Sequence, residues 1–91
     1  MDNTPLKEDL VKLRDELKAV TPADGPSQEE IAKLGGNVHY LLHYSEKDGP
    51  PALHFSVKES LEDSLEYFES THPAITELIT RIIQALSDMG I

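Results

Sequence analysis

The sequence predicts an all-α fold of three to four helices in a single domain spanning residues 1–91. Three observations predict it. Large apolar residues recur at i, i+3, i+4 and i+7 through most of the chain, Ser-x-x-Glu helix-start signals stand at Ser27 and Ser56, and Pro/Gly-rich breaks separate the periodic stretches. The expected helices run over about 4–20, 28–45, 57–71 and 73–89, with loops at 21–26 and 46–55. The last two helices are kinked or broken at His72-Pro73.

In the first helix Asn3 or Thr4 can cap, and Pro5 sits near the first helical position, where its missing N–H costs little. Leu6, Leu10, Leu13, Leu17 and Val20 then form a narrow stripe suited to packing on another helix. Lys7, Glu8, Asp9, Lys12, Arg14, Asp15, Glu16 and Lys18 clothe the remaining surface. Thr21-Pro22-Ala23-Asp24-Gly25-Pro26 ends this helix.

Ser27 and Glu30 make a capping box that opens the second helix, with Ile31, Leu34, Val38, Leu41 and Leu42 on its apolar side. Gly35-Gly36 conflicts with a helix there, since each glycine costs roughly 1 kcal/mol relative to Ala. Two readings stay open at this point. Either the pair sits in a helix where a neighbouring backbone approaches closely, or it ends a short helix and residues 37–57 form a β-hairpin, with Val38-His39-Tyr40 and Leu53 to Val57 as strands around Asp48-Gly49-Pro50-Pro51. The adjacent Leu41 and Leu42 break period-two alternation and favour the helix.

A second capping box, Ser56 with Glu59, is expected to open the third helix, whose apolar side carries Val57, Leu61, Leu65 and Phe68. Glu59, Glu62, Asp63, Glu66 and Glu69 line the opposite side. Pro73 cannot donate to the carbonyl of Glu69, so the chain bends or restarts there with Thr71 or His72 as cap. The fourth helix holds Ile75, Leu78, Ile79, Ile82, Ile83, Leu86 and Met89 on an arc of roughly 140°. That arc looks wider than three lightly striped helices can cover, so the same seven residues are expected to form a homo-oligomer interface, most simply a dimer. Gly90 fits a left-handed C-cap, with Ile91 folding back.

Seventeen acidic residues against eight basic ones, a net charge of −9, argue against direct nucleic-acid binding through phosphate neutralisation and against attachment to an anionic membrane. A basic protein or a metal ion is an electrostatically favoured partner, and the same charge also serves solubility alone. There is no cysteine, so no disulfide and no thiolate metal site. The opening Met1-Asp2-Asn3-Thr4-Pro5 shows neither a basic nor an apolar targeting region, and a soluble cytoplasmic protein is expected.

Phe68-Glu69-x-x-His72-Pro73 followed by Ile82-Ile83-x-Ala85-Leu86-x-x-Met89-Gly90-Ile91 resembles the short bacterial proteins grouped as DUF4404, a domain of unknown function. Leu10-x-x-Leu13-x-x-Glu16-Leu17 and Leu41-Leu42 extend the likeness over most of the chain outside 46–55. The resemblance implies a wholly helical fold, which favours helix over hairpin at 37–45, and it implies no activity, metal or cofactor.

Among the residues that could carry chemistry, His39 and His43 stand at the i, i+4 spacing by which two imidazoles share a metal, with Glu46 or His54 as a third ligand. No His-Glu-x-x-His motif accompanies them, and they project away from the apolar side, so they are weak metal candidates. His72 reads as a structural residue at the helix break. Ser27 and Ser56 are accounted for as caps, no glycine-rich loop cradles phosphate, and the third helix's carboxylates lie on a convex surface instead of a cleft. No catalytic residue and no cofactor is assigned. The expected function is a self-associating scaffold or protein–protein interaction module. An acidic inhibitor or nucleic-acid mimic that occupies a basic groove is the alternative.

Overall fold

In a computed structural model of the chain, residues 4–21, 27–44 and 51–88 are described, with side chains excepted at 4, 44 and 51–55. Four helices follow in order: α1 (Thr4–Lys18), α2 (Gln28–Tyr44), α3 (Pro51–Phe68) and α4 (Pro73–Asp88). No strand occurs among the described residues. The hairpin alternative is overturned, because residues 37–44 continue α2 and residues 51–57 form the first turns of α3.

Each helix packs on two neighbours: α1 on α2, α2 on α3, α3 on α4, and α4 back on α1. The result is a closed ring of four helices around one core. Its Cα radius of gyration is 12.4 Å, close to the ~12 Å expected for a compact monomeric domain of this length.

Along α1 the predicted stripe is the buried one: Leu6, Leu10, Leu13 and Leu17 all enter the core and Val20 packs against its edge. The helix is shorter than the expected 4–20. Ala19 N bonds to Glu16 O at 3.1 Å and Val20 N to Leu17 O at 3.1 Å, so the last turn tightens to i→i−3 spacing before the chain leaves.

The cap at Ser27 forms as predicted on the serine side. Glu30 N donates to Ser27 Oγ at 3.2 Å, and Ile31 N donates to Ser27 O at 3.0 Å. From α2, Leu34, Val38 and Leu41 are buried, while Ile31, Tyr40 and Leu42 flank them. Gly35 and Gly36 lie inside the helix. A Cβ at either position would meet nothing within 4 Å, so no neighbouring helix presses on them.

The start of α3 differs from the one expected at Ser56. The helix begins at Pro51, five residues before the expected cap, so residues 51–55 are helical, not loop, and Ser56 lies inside the helix instead of at its end. The physical reason is that proline at the first position of a helix leaves no donor wasted and has its φ already set. Ser-x-x-Glu is a start signal only where free N–H groups need it. The core side of α3 is carried by Leu61 and Phe68, with Val57 and Leu65 half-buried. Ser64 is also buried, and its hydroxyl donates to Ser60 O at 3.0 Å. Asn37 Nδ2 donates to Ser60 Oγ at 2.8 Å, which ties α2 to α3.

Between α3 and α4 the chain breaks at His72-Pro73, as the sequence predicts. Phe68 O accepts from His72 N at 2.8 Å and from Thr71 N at 3.3 Å, closing α3. His72 O accepts the first bond of α4 from Thr76 N at 3.0 Å, so His72 is the N-cap and Pro73 the first helical residue. The link, residues 69–72, is too short to span a helix, and α4 therefore runs back along α3.

Helix α4 supplies the largest share of the core: Ile75, Leu78, Ile79, Ile82 and Leu86 are buried within the single chain. The expectation that the other helices are too lightly striped to cover this arc is corrected here. The leucine stripe of α1 meets one flank, and Leu61 and Phe68 of α3 meet the other. Complete burial of one such side chain contributes roughly 1.5–3 kcal/mol, so α4 makes the largest single contribution, with α1 close behind. Met89, Gly90 and Ile91, with the C-cap expected there, lie outside the described residues, as does the stretch 45–50.

Candidate functional site

The surface with the most concentrated chemistry is the outer side of α3. Glu59, Glu62, Asp63 and Glu66 are exposed on the helix, and Glu69 is exposed in the turn that follows it. Their positions arise from the same periodicity that buries Leu61 and Phe68. Side chains three and four residues apart share a side of the helix, and these acids occupy the positions between the apolar ones. Tyr67, 45% exposed, stands beside them as the large apolar side chain most open to solvent among the described residues. All five carboxylates of this patch are open to solvent.

A second surface lies between α1 and α2. Arg14, Gly35, His39, Leu42 and His43 line an open groove of about 480 Å³. Both imidazoles are exposed, as their helical projection predicts. Arg14 Nε is 3.6 Å from Asp15 Oδ1, and Lys18 Nζ is 3.8 Å from the same oxygen. Of the third metal ligands considered, Glu46 lies outside the described residues and the His54 side chain is not described. Among the described residues no group of three or more His, Cys, Asp or Glu is placed to hold a metal ion.

The helix break holds a local polar set. Thr71 Oγ1 and His72 Nδ1 are hydrogen-bonded at 2.8 Å, and the His72 ring meets Phe68 edge-on with centroids 5.9 Å apart. Thr76 Oγ1 donates to His72 O at 3.1 Å. His72 thus joins the turn to the core through the Thr71 hydroxyl and the Phe68 ring, and this imidazole bond is to a side chain where a backbone group was expected.

The seven residues expected at an oligomer interface divide three ways. Ile75, Leu78, Ile79, Ile82 and Leu86 are inside the monomer, Ile83 is half-buried at its edge, and Met89 lies outside the described residues. A surface made of the first five is not available while the ring stays closed.

One interaction escaped the sequence reading. Arg81 Nη2 of α4 lies 3.3 Å from Asp9 Oδ1 of α1, and the Asp9 side chain is only 11% exposed against 53% for Arg81. Asp9 looks like one more solvated charge in the sequence. A hint was available in its position between Leu6, Leu10 and Leu13, which places it at the margin of the buried stripe.

No described helix is long and apolar enough to cross a membrane. No curated protein and no solved structure matches the chain. The family model for DUF4404, a domain of unknown function, matches residues 6–91. The chain belongs to that family.

Proposed function

We propose that this member of the DUF4404 family is a non-enzymatic protein–protein interaction module of the cytoplasm, whose working surface is the acidic outer side of α3 and whose partner is a basic protein. One observation supports the reading most: Glu59, Glu62, Asp63, Glu66 and Glu69 all point to solvent, while the apolar side of every helix is directed into the chain's own core. A net charge of −9 adds a long-range attraction for such a partner. The acidic-inhibitor form of this idea differs only in consequence, since it requires the partner's basic groove to be the partner's own active surface.

A self-associating scaffold is less well supported. Its interface was inferred from the α4 arc, and the buried members of that arc would have to leave the core for a second copy to reach them. Ile83 is the one described member still partly exposed.

The test uses the intact protein immobilised beside a variant carrying Glu59→Gln, Glu62→Gln, Asp63→Asn and Glu66→Gln. The wild-type chain is expected to retain a basic protein at low salt and release it at high salt, whereas the variant retains none. Equal retention by both chains overturns the reading. Light scattering of the wild type across a dilution series decides the scaffold form separately.

A further inference from the structure

The geometry points to a second binding site, in the groove between α1 and α2, for a small oxyanion-bearing molecule, phosphate or carboxylate, held by Arg14, His39 and His43.

Gly35, His39 and His43 recur at four-residue intervals along one edge of α2, and Arg14 projects from α1 into the same groove. The sequence offered the two histidines as metal ligands. The fold changes that reading by adding a guanidinium, which carries a permanent positive charge and only donors. A divalent cation placed between the imidazoles meets that charge, while an oxyanion entering the groove meets the guanidinium donors of Arg14 on one wall and the imidazole edge of α2 on the other.

Arg14 is not neutralised by its neighbour. Asp15 Oδ1 is shared between Arg14 and Lys18, at 3.6 and 3.8 Å, and all three side chains are more than half exposed. Such pairing in water is weak, and the guanidinium keeps its capacity for a ligand.

Gly35 supplies the room. A glycine in mid-helix is unfavourable relative to alanine, and here it accommodates no neighbour in the chain, since a Cβ would meet nothing within 4 Å. Its bare backbone adds no side chain to the groove beside His39. The volume, about 480 Å³, lies in the range of small-molecule sites and exceeds what a lone ion fills. Leu42 gives the ligand one apolar contact.

The experiment is calorimetric titration of the full chain with inorganic pyrophosphate, with citrate and with zinc chloride, each alone. Saturable binding of pyrophosphate or citrate is expected, and the tighter of the two identifies the phosphate or carboxylate class. Arg14→Gln and the double variant His39→Gln/His43→Gln each weaken it by about ten-fold or more. Circular dichroism of both variants is expected to match the wild type, because all three residues are exposed. Arg14→Lys restores binding in part, which separates the charge from the fork geometry. The proposal is overturned if neither anion saturates, if Arg14→Gln leaves the affinity unchanged, or if zinc alone binds through the histidines.

Discussion

Helices α3 and α4 are consecutive, 18 and 16 residues long, and packed side by side, yet they divide their apolar and charged residues in opposite ways. In the described part of α4 only Glu77, Arg81 and Asp88 are charged, and five large apolar side chains vanish into the core. In α3 Leu61 and Phe68 enter the core, and a row of carboxylates faces outward. The difference teaches that a strong apolar period reports how much a helix contributes to folding. What a helix offers to other molecules is read from the residues between the apolar ones.

The largest effect that sharpens this contrast is Ile82→Asp. Ile82 is fully buried, so an unpaired carboxylate there is expected to cost about 4 kcal/mol or more and to leave much of the chain unfolded by circular dichroism. A variant that stayed folded and merely changed its mass in light scattering would return α4 to the role of an interface. Next comes Phe68→Ala, at the point where α3 meets both the core and the His72 ring. Loss of about 3–5 kcal/mol in urea denaturation is expected.

The Asp9–Arg81 pair ranks third. Removing the Arg81 side chain strands a largely buried carboxylate, but the guanidinium itself is half in water. A destabilisation of about 1 kcal/mol is expected, with the coupling to Asp9→Asn in a double-mutant cycle shrinking in high salt. Gly35→Ala and Gly36→Ala are expected to stabilise, by about 0.5–1 kcal/mol each, because open space surrounds both positions. Thermal melts check the sign. Neutralising the acids of α3 comes last, with a change within about 0.5 kcal/mol, and a much larger loss would show that they hold the fold instead of a partner.

Much of the fold was legible because helical periodicity is a local property. Leu10, Leu13, Leu34, Val38, Leu61 and Ile79 declared their burial by spacing alone. The start of α3 was not legible, since Pro51 and Ser56 both carry start signals and only the three-dimensional path decides which set of N–H groups is left free. The acidic row was readable as a row, its exposure included. Coverage of α4 was not, because whether α1 and α3 reach around it depends on how four helices close, which no single stretch encodes. The same holds for Arg14 joining His39 and His43, and for Asp9 meeting Arg81.

The closing of α4 onto α1 also sets an order of events during synthesis. Of the four helices α1 is made first, and the neighbour that covers one side of it is made last. While the ribosome is still working through α2 and α3, Leu6, Leu10 and Leu13 have only part of their final surroundings. Burial of the α1 stripe is therefore completed only when the last helix arrives, and until then α2 alone can cover part of it.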